Sequence, residues 1–170
     1  MAEETLSDSV LLTMRVNGTP RDLEVVPTAS LLDVLRDQLG MTAAHMGCMT
    51  GHCGACTVTI DGRTAKSCLT MAATVEGCRI TTLEDLSKPG QPLHPLQKAF
   101  WYAGGFQCGY CAPGMLLVTL ELLAETPNPT DAEIREALAG NLCRCTGYQS
   151  IVRAVKAAGQ ALAAAGQAPA

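Results

Sequence analysis

The placement of cysteine constrains this chain more than any other feature. Eight of its nine cysteines fall into two groups: Cys48-x4-Cys53-x2-Cys56 followed by Cys68, and Cys108-x2-Cys111 followed by Cys143-x-Cys145; Cys78 stands apart. An odd count does not suit a framework built wholly of disulfides. The segment Met1 to Asp8 is acidic and polar, with no basic leader region and no Arg-Arg pair, so a cytoplasmic location is expected. Thiols stay unpaired in such a reducing compartment, and clustered thiols there hold metal or do redox chemistry.

The remaining composition excludes several classes. Hydrophobic residues make up 48% and charged residues 16%, which supports a packed core rather than a disordered chain. The formal net charge is -4 and no basic stripe runs along the sequence, so a nucleic-acid partner is not expected. No uncharged apolar run has the length and character of a membrane span. No Ser, His and acid arrangement suggests hydrolysis, and no G-x-G-x-x-G follows a strand.

The first cysteine group has the spacing of a plant-type [2Fe–2S] ferredoxin, with Cys48, Cys53, Cys56 and Cys68 as the four thiolates. Such a cluster is negatively charged and becomes more so on reduction. Backbone N–H groups aimed at the sulfurs stabilise that charge, which calls for tight loops; Gly47, Gly51 and Gly54 supply them. In the second group, Cys111 and Cys145 each precede a helix, whose N-terminal N–H groups favour thiolate. Two such turns facing each other would bring together Cys108, Cys111, Cys143 and Cys145, with Gly109, Gly140 and Gly147 giving the backbone room. On spacing alone, structural zinc or a [4Fe–4S] cluster also stays open at this second group. His45 and His52 read as loop residues, His94 as an ordinary residue near a helix start, and Cys78 as a small buried apolar residue.

Charge supports the importance of both groups. Neither Gln38 to Ile60 nor Ala99 to Leu120 contains a single Asp, Glu, Lys or Arg. Ordinary surface loops carry charge, so these windows read as covered, by the protein itself or by a partner.

The fold class expected is α+β. Strands are predicted at Val10 to Val16, Arg21 to Val26, Thr57 to Ile60, Arg63 to Lys66 and Arg79 to Thr82, with turns at Asn17-Gly18 and Asp61-Gly62. Ser30 caps a helix through Leu39, with Gly40 beyond its end. This order describes a β-grasp, plant-type ferredoxin domain over residues 1–87. A Pro/Gly-rich linker occupies 88–92. Residues 93–170 then form a helical domain read as a four-helix bundle: Pro95 to Gly104, Ala112 to Glu125, Thr130 to Leu138 and about Gln149 to Ala164. The second is apolar nearly all round and should be buried. Thr130 and Glu133 make a capping box, and the tail after Ala163 should fray.

Three stretches resemble the molybdenum hydroxylase (xanthine oxidase) family. They are Gly47-Cys48-Met49-Thr50-Gly51-His52-Cys53-Gly54-Ala55-Cys56-Thr57-Val58, Gln107-Cys108-Gly109-Tyr110-Cys111-Ala112-Pro113-Gly114-Met115, and Gly140-Asn141-Leu142-Cys143-Arg144-Cys145-Thr146-Gly147-Tyr148. The match runs in order from residue 10 to about 160, and Tyr110 and Ala112 stand where Phe and Thr are common in the family. The resemblance implies a small subunit with two [2Fe–2S] clusters, an outer one on Cys48, Cys53, Cys56 and Cys68 and an inner one on Cys108, Cys111, Cys143 and Cys145. It implies a large partner subunit holding molybdopterin, in dinucleotide form, and a medium partner holding FAD, or another acceptor. A dimer of heterotrimers is one assembly of this kind. By the same resemblance Gln107 and Cys145 touch the partner's pterin, whereas Gln107 read without it is a turn residue satisfying local backbone. The competing reading is a free-standing two-cluster ferredoxin or redox sensor, which should surround its clusters with charged docking residues.

Overall fold

The computed structural model describes residues 9–88, 90–164 and 166. The expected acidic terminus at residues 1–8, Pro89 of the linker and most of the tail lie outside the described residues.

The chain opens with β1 (Val10–Val16) and β2 (Thr19–Val25), an antiparallel hairpin in which Val10 pairs with Val25 and Val16 with Thr19. Asn17 and Gly18 both take positive φ, as the tight turn requires. The Asn17 amide also ties this turn to the end of the neighbouring last strand, donating to Thr82 Oγ1 and accepting from the Thr82 N–H, both at 2.9 Å. A second hairpin joins β3 (Thr57–Ile60) and β4 (Arg63–Lys66) through Asp61-Gly62, again with positive φ at both. The last strand, β5 (Arg79–Thr81), lies between the hairpins, parallel to β1 and antiparallel to β3, giving the order β2-β1-β5-β3-β4.

Strand β2 begins two residues earlier than predicted, with Pro20 paired to Arg15. Proline has no N–H for a second neighbour, and β2 is the sheet edge, where none is needed. The predicted helix at Ser30 forms in two parts, an α turn α1 (Leu31–Asp33) that widens into a π segment at Val34–Gln38. Ser30 Oγ accepts from the Asp33 N–H at 3.1 Å, the expected cap. The sheet and this helix share one apolar cluster, in which Leu12, Met14, Leu31, Leu35, Val58 and Ile80 are fully buried.

The second apolar cluster is built by α2 (Pro95–Tyr102), α3 (Ala112–Glu125), α4 (Asp131–Ala137) and α5 (Gln149–Ala164). Helix α3 is buried continuously from Pro113 to Leu120 and again at Leu123, as its apolar sequence predicts. Ile151, Val155, Ala158 and Leu162 of α5 line one buried face. His94 is more than an ordinary residue near a helix start: its Nδ1 accepts from the Leu96 N–H at 3.2 Å, and the Gln97 side chain accepts from the His94 N–H at 2.9 Å. Cys78 is not buried. It is half-exposed at the edge of the first cluster, beside the Glu76-Gly77 turn.

Thr130 and Glu133 form the expected capping box at the start of α4. The Thr130 N–H and hydroxyl hold the Glu133 carboxyl below its ordinary range. A depressed carboxyl pKa contributes stability above the ordinary Glu value, and that contribution is lost as pH falls through the folded value. Thr130→Ala removes the hydroxyl that caps the Glu133 N–H and should cost about 1 kcal/mol at neutral pH. Its melting temperature should also fall less between pH 7 and pH 4 than that of the unsubstituted chain, as thermal melts at the two pH values would read.

Candidate metal centres

The first cysteine loop runs from the end of the π segment into β3. His45 N–H donates to Ala55 O at 3.0 Å and closes its base. Within it, the N–H groups of Thr50 and Cys53 both point at Cys48 Sγ, each at 3.4 Å. Hydrogen bonds from Thr50 and Cys53 lower the Cys48 pKa to about 5. Cys68 follows β4 and is buried. Desolvation, reinforced by Cys56, pushes its pKa up to about 11. Of the three predicted glycines, Gly51 and Gly54 have positive φ, while Gly47 is required for space: a Cβ there would sit 2.7 Å from Cys53 Sγ.

The second group forms where the start of α3 meets the turn before α5. Cys108 and Cys145 Sγ lie 3.5 Å apart on the surface. Cys111, the residue preceding α3, is buried beside Cys143; burial pushes the Cys111 pKa up to about 12. At Cys143 burial acts upward, but hydrogen bonds from the Thr146 side chain and backbone outweigh it and leave the thiol lowered. Thr146 Oγ1 lies 3.2 Å from Cys143 Sγ. Gln107 Nε2 donates to Cys145 O at 3.1 Å, so its side chain spans the two turns.

Cys108 and Cys145 Sγ stand 3.5 Å apart, and Cys53 acts on the Cys48 thiol, Cys56 on Cys68 and Cys143 on Cys111 as side-chain neighbours. Four thiolates divided two and two suit a pair of irons, whereas one zinc draws all four to a single centre. The donor set and its arrangement therefore fit a [2Fe–2S] cluster at each group.

The two groups are joined directly. Leu142 N–H, next to Cys143, donates to Cys53 O at 2.8 Å. Asn141 is 1% exposed; its Nδ2 contacts Gly54 O at 3.4 Å and its Oδ1 accepts from Lys66 Nζ at 2.9 Å. Burial lowers the Lys66 ammonium, while the charges of Cys56, Cys53, Cys68 and Cys48 act upward on it. On another side, His45 stacks on Tyr110 with ring centroids 4.4 Å apart, and its Nδ1 lies 2.8 Å from Tyr110 O.

Sequence comparison places the chain in a family. Residues 14–81 match the 2Fe-2S iron-sulfur cluster binding domain family, and residues 82–156 match the [2Fe-2S] binding domain family. The xanthine dehydrogenase iron-sulfur-binding subunit of Escherichia coli O157:H7 is 45% identical over 151 residues, which cover 88% of this chain and 94% of that protein. This chain belongs to the small iron–sulfur subunits of the molybdenum hydroxylase family. Two further members agree. The nicotine 6-hydroxylase small subunit of Paenarthrobacter nicotinovorans is 47% identical over 91% of this chain and 93% of its own length. The crystal structure of quinoline 2-oxidoreductase from Pseudomonas putida 86 superposes with a TM-score of 0.88 at 42% identity, covering 94% of this chain and 99% of that one. As a family member with two [2Fe–2S] domains, the chain is an electron-transfer subunit of an oxidoreductase.

Sequence reasoning gives no role of their own to three residues beside the cysteine loops: Lys66, Asn141 and Gly114. Gly114 is in the first turn of α3, where a Cβ would sit 2.2 Å from Gly54 O. Tyr110 also does more than stand in for the common Phe, because its hydroxyl donates to Met46 O at 2.6 Å and latches the second loop to the first. Tyr110→Phe should cost about 1 kcal/mol in a denaturant titration, with the stacking on His45 kept.

Proposed function

We propose that the chain carries an outer [2Fe–2S] cluster on Cys48, Cys53, Cys56 and Cys68 and an inner one on Cys108, Cys111, Cys143 and Cys145. When bound, each cluster takes up and gives back one electron. Electrons enter from a molybdopterin site in a large partner subunit and leave to FAD in a medium subunit, or to another acceptor. The observation that carries this reading is the pairing of the sulfurs in both groups, with Cys108 and Cys145 exposed and Cys68 and Cys111 buried. Exposure of the Cys108/Cys145 pair supports the inner position, facing the pterin, and Gln107 lies beside it with its amide on Cys145 O.

The loops also favour a permanent subunit over a free-standing ferredoxin. Met46, Leu69, Tyr110 and Leu142, on or beside the cysteine loops, are between 46% and 62% exposed. The cysteine loops are thus not covered by this chain itself, which leaves a partner to cover them. The separate apolar clusters support two domains, a β-grasp over 1–87 and a four-helix bundle over 93–170, joined by a linker at 88–92. Among the described residues no helix is long and apolar enough to cross a membrane. Assembly of eight free thiolates on iron suits a cytoplasmic site of synthesis, and a dimer of heterotrimers is the assembly proposed.

Affinity purification from the native host tests this reading. Two larger chains should copurify, with molybdenum and flavin in the complex. Recovery of the chain alone, with both clusters and with charge-dependent binding to many acceptors, would favour the free carrier instead.

A further inference from the structure

The electron-relay reading gives no role to the charged side chain that lies between the two cysteine loops. Lys66 ends β4, two residues before Cys68, and is half-buried. Its Nζ donates to Thr57 Oγ1 at 3.0 Å and to Asn141 Oδ1 at 2.9 Å. Thr57 directly follows Cys56, and Asn141 lies two residues before Cys143. Thr57 and Asn141 are themselves 1% exposed, so the ammonium is held by two buried acceptors rather than by water. Gly140 stands with its Cα open toward Lys66, where an added Cβ would meet Nζ at 3.6 Å. The first loop, from Leu39 to Ile60, contains no charge to share this duty.

We propose that Lys66 is a positioning residue that sets the reduction potential of the cluster on Cys48, Cys53, Cys56 and Cys68, and that Asn141 anchors it there from the other loop. This inference rests on the two-cluster reading above. Its charge acts on all four thiols of the first group. Adding an electron to a thiolate-bound cluster adds negative charge, and a fixed cation nearby stabilises the reduced form more than the oxidised one. Lys66 therefore makes this cluster the better electron acceptor and favours transfer toward it from the cluster on the second loop. Charge, rather than hydrogen bonding alone, is the operative property: the Gln amide can donate to the same two oxygens without carrying charge.

The test is a potentiometric titration of the purified holoenzyme followed by EPR, on Lys66→Gln, Lys66→Met and Lys66→Arg beside the unsubstituted protein. Lys66→Gln should favour the oxidised form of the first-loop cluster by about tenfold, or ~59 mV for one electron. The second-loop cluster should move by less than a third of that, and Lys66→Arg should restore the original potential. An unshifted first-loop cluster in Lys66→Gln, or an equal shift in both clusters, would overturn the proposal. Failure of Lys66→Gln and Lys66→Met alike to load the cluster, with Lys66→Arg loading normally, would also overturn it, because a charge that only tunes potential is not needed for loading. If the unsubstituted protein lacked two [2Fe–2S] signals, the two-cluster reading would fall and the inference with it; two normal signals with no shift would remove the inference alone.

Discussion

Replacing Cys143 by Ser should stop turnover of the assembled enzyme while the spectrum of the first-loop cluster persists. Cys143 is one of four proposed thiolates at the second loop, and the one whose thiol is lowered by Thr146. Serine keeps the shape but offers a hard alkoxide or hydroxyl where iron and sulfide prefer a soft thiolate. Changes to groups that merely orient metal ligands typically cost 10 to 100-fold, so loss of a ligand should cost ~100-fold or more in turnover. The first-loop fold should survive, since Cys143 packs at the edge of the second apolar cluster and not in the first or in the hairpins. Stopped turnover with one of two EPR signals retained is the expected pair of results. Normal activity in this variant would remove Cys143 from the ligand set.

The second large effect is on stability, and its sign distinguishes two influences. Gly114 lies in the first turn of α3. Helix propensity alone makes Gly114→Ala stabilising by about 1 kcal/mol. The added methyl would, however, lie 2.2 Å from Gly54 O and 2.6 Å from Asn141 Nδ2. Neither neighbour can yield cheaply, one being backbone and the other a buried amide that also holds Lys66. Overpacking commonly costs 1 to 3 kcal/mol, and here the clash is with main chain, so a net loss of about 3 kcal/mol is expected. For a chain of this size that lowers the melting temperature by roughly 10 °C. Gly140→Ala is the control. Its Cβ would make an ordinary 3.6 Å contact and its φ is not in the left-handed region, so it should be neutral or stabilising by about 0.4 to 1 kcal/mol.

Much of this molecule is legible in its sequence. The bounds of β1, β3, β4 and α3 follow from alternation, from two turns with a residue that tolerates positive φ followed by Gly, and from an apolar run with Pro at its start. Both cysteine groups stand out because metal ligands must recur at short spacing wherever one loop wraps a cluster. What stays hidden depends on contacts between residues far apart in the chain. Pro20 reads as a boundary because proline usually ends strands, yet β2 has only one neighbour and accepts it. Lys66 reads as the last residue of a hairpin strand; its partner Asn141 lies 75 residues away. Gly114 matters because Gly54 and Asn141, distant in sequence, pack against it. Cys78 illustrates the opposite error: cysteine is commonly buried, but the Gly77 turn beside it leaves this one half-exposed.

Iron and acid-labile sulfide per chain, measured with EPR of the dithionite-reduced protein, test the two-cluster assignment most directly. About four iron and about four sulfide, with two distinct [2Fe–2S] signals, is the predicted result. About two iron with one zinc, or a [4Fe–4S] signal, would contradict it: the first loop would keep its cluster, and the assignment of Cys108, Cys111, Cys143 and Cys145 to a second [2Fe–2S] centre would be wrong.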